Sequence, residues 1–236
     1  MRESSFGIAI KSQDFDIKPC RGENVVTRLA RYFGMGKPGR LPIETTDNTQ
    51  IVVHVDADCF YAACERLRDP QLKGEPVVVG MGYEDGETSG AVATASYEAR
   101  EYGVQSAQSI DQALEALPRA ESGEEPSAFY RPVDMDYYEG VSQQVRSVLS
   151  EFSDTIRAVS IDEAYLDVTE AVDWESAAEF AQALKDRIEN EVGVVASVGV
   201  APTMSAAKIA SDHDKPDGLV VVEPGDVRDF LAPLDV

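Results

Sequence analysis

Apolar positions change rhythm near residue 50. Upstream, only residues 24–32 (NVVTRLARY) have the spacing of a short amphipathic helix, and GMGKPGR at 34–40 breaks it. Downstream, β-branched runs of strand length alternate with stretches of helical period. IVVHV (51–55), PVVVG (76–80), AVATA (91–95), VVASVGVA (194–201) and LVVVE (219–223) predict buried strands, and VSIDEAYLDV (159–168) predicts a strand pair. Helical period appears after DADCF, with Ala62, Ala63 and Leu67 inward. It recurs in SYEAREYG, closed by Gly103, and over 110–117, 137–152, 174–192 and 205–211. GYEDGETSG (82–90) and the polar run 118–127 read as connections. With no repeated βαβ period, the pattern favours an α+β fold over a doubly wound one.

Charge sets the first fifty residues apart. They hold 8 Lys+Arg and 6 Asp+Glu, leaving 13 basic and 37 acidic side chains in the remaining 186. The chain as a whole carries −22, which excludes a simple basic nucleic-acid binder. Either its partner is not nucleic acid, or its surface is adapted to very high salt, where acidic residues preserve solubility. Cys20, Cys59 and Cys64 form no CxxC pair and read as free thiols. His54 and His213 lack partners at metal or triad spacing, so both read as structural or surface residues. No apolar run approaches the roughly 18–20 residues of a membrane span. The N-terminus carries acids and no apolar signal core, so a cytoplasmic protein is expected.

Three carboxylates stand out: Asp56, Asp162 and Glu163. Asp56 ends an apolar strand, with Asp58 at the same parity, and Asp162 and Glu163 are adjacent between two apolar runs. Neighbours in a regular strand face opposite ways, so a shared site requires a hairpin tip between RAVSI and AYLDV. Acids so placed can hold divalent ions for phosphoryl chemistry. Acids that merely end strands or face solvent leave the same pattern, and spacing alone leaves both readings open.

VDADCFY (55–61), AVATASYEAREYG (91–103) and SIDEAYLD (160–167) resemble, in order and approximate spacing, three motifs of the Y-family lesion-bypass DNA polymerases. GEPVVVG (74–80) and AAKIASDHDKPDGL (206–219) extend the resemblance, which covers about residues 51–235 and is nearest the archaeal and bacterial polymerase IV group. It implies a palm, with a mixed or antiparallel sheet backed by helices, over 51–59 and 129–235. It also implies small inserted fingers over 60–128, with residues 1–50 as an extension of unassigned role.

The resemblance further implies that Asp56 and Asp162 bridge two Mg²⁺ ions and that Glu163 completes the catalytic site. The Ala57 carbonyl would be another metal ligand. Backbone N–H groups at Cys59 and Phe60 would hold the triphosphate, with Tyr97, Arg100 and Lys215 gripping it. Tyr61 would be the steric gate against a ribose 2′-hydroxyl. Each residue has a plainer reading: Tyr61 as a core aromatic, Tyr97 and Arg100 as a surface cation–π pair, Lys215 as a turn lysine.

The departures are specific. VQSAQSI (104–110) replaces a stretch that usually carries glycine and proline, and Thr203-Met204 stands where relatives often carry Asn-Lys. The chain ends at PLDV, so the thumb, the little finger and any sliding-clamp tail are expected to be missing. The expected partners are primer–template DNA and dNTP, with no membrane and a clamp only through those missing regions. A haloarchaeal source would fit the acid excess. Two rivals stand: a truncated fragment that binds nucleotide and metal without extending primers, and a palm-type nucleotide cyclase. The cyclase's usual GG[DE]EF-like hairpin is replaced here by SIDEAY.

Overall fold

The structure is a computed structural model that describes residues 50–82, 90–118 and 128–233. The helix expected at 24–32, most of the 82–90 connection and most of the 118–127 loop lie outside the described residues.

A five-stranded sheet forms the larger layer. Its strands are β1 (Val52–Ala57), β5 (Thr155–Ala158), β6 (Glu163–Asp167), β7 (Ala196–Ala201) and β8 (Leu219–Val221), in the order β5-β6-β1-β7-β8. All its pairings are antiparallel except β7–β8. β1 is central and buried on both faces, which explains why its sequence does not alternate apolar and polar. Val53 and Val55 point into a core built with α4 (Met135–Phe152) and α5 (Ala177–Val192), through Val148, Leu149, Leu184 and Ile188. On the opposite face, Val52 packs with Ala206, Ala207 and Ala210 of α6 (Met204–His213).

Those alanines let α6 approach closely, and Gly199 completes the fit. A β-carbon at Gly199 would stand 2.9 Å from the Ala210 carbonyl carbon and still nearer the Ala207 oxygen and the Ser211 nitrogen. Thr203, one of the departures from the family pattern, caps this helix by accepting from Ala206 N at 3.3 Å. A final short helix, α7 (Val227–Leu231), follows β8.

A smaller sheet, in the order β3-β2-β4, contains β2 (Val77–Met81), β3 (Ala91–Ala95) and β4 (Phe129–Pro132). Val77 and Val79 face α1 (Phe60–Arg68) and the start of α4. Val78 faces α2 (Tyr97–Glu101) and α3 (Ile110–Ala116), packing with Ala99, Ile110 and Ala113. The pattern of apolar residues did not reveal β4, a four-residue strand of FYRP that joins β2 in parallel. The smaller sheet therefore extends through Pro132.

Candidate active site

The site begins where β1 and β6 pair. Asp56 lies opposite Glu163 in the antiparallel register, the last pair before β1 leaves the sheet. Parity turns Asp56, like Val52 and His54, toward α6. Asp56 is only 5% exposed, too buried for an unpaired carboxylate.

The hairpin required for Asp162 and Glu163 exists. Glu163 opens β6, and Asp162 is the last residue of the turn after β5. Three contacts fix that turn. Ala57 N donates to Asp162 O at 3.0 Å, Ser142 Oγ of α4 donates to Ile161 O at 2.5 Å, and Arg146 of α4 donates to Ser160 O at 3.0 Å. The Asp162 side chain accepts from Ser160 Oγ at 2.6 Å.

Two ammonium groups compensate the charge of this pair, in which Asp56 is buried and Glu163 part-exposed. Lys208 Nζ donates to Asp56 Oδ2 at 2.7 Å and to Glu163 Oε1 at 2.8 Å. Lys215 Nζ holds the other Asp56 oxygen at 2.6 Å. Asp212, on the exposed side, accepts from both lysines, at 3.3 Å from Lys208 and 3.0 Å from Lys215. Burial raises the Asp56 carboxyl, but the hydrogen bonds and charges of Lys208 and Lys215 outweigh it and bring the group below its ordinary value. Burial lifts Glu163, and the Asp56 charge adds to the lift against the opposing pull of Lys208. Burial alone would lower the Lys208 ammonium, yet Asp56 and Glu163 keep it well above the ordinary lysine value.

His54 lies beneath this group, fully buried, and burial with the nearby Lys208 lowers its pKa to about 4. Ser211 Oγ donates to Lys208 O at 2.8 Å and lies 2.8 Å from His54 Nδ1, joining β1 to α6. The expected structural role of His54 is consistent with this neutral, packed imidazole. Its Nε2 has no hydrogen-bond partner among the described residues and lies 3.8 Å from Glu163 Oε2.

Asp58 lies beyond the end of β1 and acts as a junction. Its carboxylate accepts from Tyr97 Oη (3.0 Å), Ser197 Oγ (2.9 and 3.0 Å) and Asp217 N (2.8 Å). Asp217 follows Lys215 in the same loop, and Lys185 of α5 holds that loop by donating to the carbonyls of Asp217 and Gly218. Asp58 and Lys185 thus fix the segment that presents Lys215.

The other expected residues are distributed around this centre. Cys59 has a left-handed backbone (φ 46) just before α1, and burial pushes its thiol up to about 11. Phe60 is buried at the first position of α1. Tyr61 stacks on Tyr138, with centroids 4.7 Å apart and rings 21° from parallel. Burial raises the Tyr61 hydroxyl, and the charge of Asp162 adds to the effect. Arg100 covers the Tyr97 ring at 4.8 Å and donates through Nε to Ala95 O at 3.1 Å. The cation–π spacing read from the sequence is therefore present.

Lys208, Asp58, Asp212 and Tyr138 were not anticipated as partners of the site. A signal for two of them was available: Lys208 and Asp212 are four apart on one helix face, and Lys215 follows three residues later.

Asp56 and Glu163 fit a hard divalent cation. They are adjacent oxygen donors, Asp56 buried and Glu163 part-exposed, and both already have cationic partners. Magnesium asks for one or two carboxylates, with substrate phosphate and water completing its shell. Among the described residues, no three His, Cys, Asp or Glu side chains converge for an ion. Asp162, held on Ser160 Oγ, stands apart from the pair.

Known proteins resemble this chain in sequence and fold. Residues 55–212 match the model of the impB/mucB/samB family. The chain is 63% identical over 199 residues to a DNA polymerase IV of Halobacterium salinarum, covering 84% of this chain and 48% of that protein. It is 46% identical over 191 residues to a DNA polymerase IV of Methanoculleus marisnigri, covering 81% and 51%. An insertion ternary complex of Dbh DNA polymerase superposes with a TM-score of 0.71 at 42% identity, covering 79% of this chain and 52% of that one. The chain spans about half the length of the curated relatives it matches. The α+β architecture agrees with these structures, and no helix among the described residues is long and apolar enough to cross a membrane. With the family match covering more than half of its length, the chain belongs to the impB/mucB/samB family, the Y-family polymerase group.

Proposed function

We propose that the chain is the catalytic portion of a lesion-bypass DNA polymerase, which transfers a deoxynucleoside monophosphate from a deoxynucleoside triphosphate to a primer 3′-hydroxyl under template direction and releases pyrophosphate. The observation that carries this reading is the close Asp56–Glu163 pair at the end of β1, with Asp162 preceding Glu163 on the hairpin turn. Asp56, Asp162, Glu163 and the Ala57 carbonyl would hold two Mg²⁺ ions. When bound, Mg²⁺ supplies an acidified 3′-hydroxyl and charge compensation at the triphosphate. In this reading 51–59 and 129–235 form the palm and 60–128 the fingers.

The chain's own residues then divide the work. The N–H groups at Cys59 and Phe60, at the start of α1, face the phosphates. Arg100 offers a planar fork and Lys215 a point charge, while Tyr97, anchored on Asp58, borders the triphosphate. Tyr61, backed by Tyr138, occupies the space a 2′-hydroxyl would need. Primer–template DNA and dNTP are the partners, and the acidic surface makes high salt the natural working medium.

Primer extension by the 236-residue chain at high KCl with Mg²⁺ tests the proposal, beside an Asp162→Ala, Glu163→Ala double variant. Incorporation by the parent and its loss in the variant support a polymerase core. Nucleotide and metal binding without incorporation would make the chain a non-extending portion. Binding of neither would remove the role assigned to the carboxylates.

A further inference from the structure

Lys208 has a place in the site that the polymerase reading does not assign. Its ammonium bridges Asp56 Oδ2 and Glu163 Oε1, which lie on different strands and are the two carboxylates that fit a divalent cation. Lys208 projects from α6, whose alanines and Gly199 contact fix the helix on the sheet. Asp212, one turn further along α6, offers the ammonium an alternative acceptor at 3.3 Å on the exposed side. The bridging ammonium thus has a neighbouring anion to retreat to.

We infer that Lys208 is a positioning residue that occupies the carboxylate pair when no nucleotide is bound, competes with divalent cation there, and moves toward Asp212 when metal arrives with the triphosphate. The inference rests on the two-metal reading above. Asp56 is buried and Glu163 part-exposed, and two ionised carboxylates this close repel, so without a cation one must take up a proton or the pair must separate. A tethered ammonium keeps the pair folded and correctly spaced, and it must be displaced before a metal can bind both oxygens. A bare cation meets that competition alone. A nucleotide-bound cation brings extra phosphate ligands that offset the cost, so metal loading becomes coupled to nucleotide binding.

The experiment measures Mn²⁺ binding to the parent chain, Lys208→Gln and Lys208→Arg, by the electron paramagnetic resonance signal of free Mn²⁺, with and without dNTP. Lys208→Gln keeps a hydrogen-bonding side chain but no charge. Without nucleotide it should bind Mn²⁺ about tenfold more tightly than the parent, the scale set by losing one charge at close range. Its affinity gain on adding dNTP should shrink by a similar factor. Lys208→Arg should stay near the parent. If Lys208→Gln unfolds without metal, Mn²⁺ should restore its fold, read by circular dichroism.

Parent-like or weaker binding by Lys208→Gln, or failure to fold at any Mn²⁺ concentration, overturns the inference. If the parent binds Mn²⁺ with dNTP while Lys208→Gln gains nothing, only this inference falls. If neither protein binds Mn²⁺ even with dNTP, the two-metal reading falls and takes this one with it.

Discussion

Tyr61 stacks on Tyr138, whose hydroxyl donates to the buried Glu65 Oε1 at 2.7 Å. The ring proposed to exclude ribose is therefore backed by a second aromatic ring fixed on another helix. A gate resists a 2′-hydroxyl only if it cannot swing away. Tyr61→Ala should raise ribonucleotide over deoxyribonucleotide incorporation by about a hundredfold, the upper range for discrimination by pocket shape. Competition between rCTP and dCTP in primer extension reads the ratio, and an unchanged ratio would remove Tyr61 from sugar selection.

Tyr138→Phe separates the stack from the anchor. The ring remains, but Glu65, 2% exposed, loses its short hydrogen bond and keeps, among the described residues, Arg68 at 3.8 Å. A buried carboxylate left short of a donor is costly, so stability should fall by about 2 kcal/mol. Urea denaturation checks the loss. A change under about 0.5 kcal/mol would mean that Glu65 finds another partner.

The sequence made most of the long elements legible and little of the site's wiring. AVATA and 110–117 were readable because their apolar runs match strand and helix periods, and β3 and α3 fall there. β4 was not, because four half-buried or exposed residues with a closing proline leave no periodic trace. Asp56 and Glu163 announced themselves as acids ending or opening apolar strands. Lys208 did not, since a lysine on an alanine-rich helix looks solvated until the helix is placed against β1. Asp58 was ambiguous for a related reason: its partners, Tyr97, Ser197 and Asp217, lie far away in sequence.

Gly199 is the position at which one methyl group should disturb the site through the scaffold. Its absent β-carbon would press on α6 backbone at residues 207, 210 and 211, which cannot yield as a flexible side chain can. Gly199→Ala should therefore destabilise the chain by about 3 kcal/mol, at the upper end for overpacking. It should also shift Lys208 away from Asp56. Thermal melting measures the first effect, and weaker protection of α6 amides from hydrogen exchange would report the second. A parent-like melt would show that α6 can move outward at little cost.

Glu98 is one source of acid sensitivity away from the carboxylates proposed to bind metal. Arg66 donates to Glu98 Oε2 at 2.6 Å while also holding Leu72 O at 3.0 Å and Glu75 O at 2.8 Å, tying α1 to α2. Burial would raise Glu98, but the Arg66 hydrogen bond wins and brings its carboxyl below the usual 4.5. The unfolded chain therefore binds a proton at higher pH than the folded one. The pair's stabilisation is complete above about 4.5 and disappears as pH falls through the lowered folded value. Glu98 is part-exposed, so solvent screening limits the contribution to roughly 1 kcal/mol. Glu98→Gln should be less stable than the parent by that amount at pH 7, and the two should converge as pH falls below 4.5. Urea midpoints measured across this range decide the matter, because the difference between the curves isolates Glu98 from the other carboxylates. A gap that stays unchanged however far the pH falls below 4.5 would assign the loss to packing around the substituted amide rather than to the ion pair.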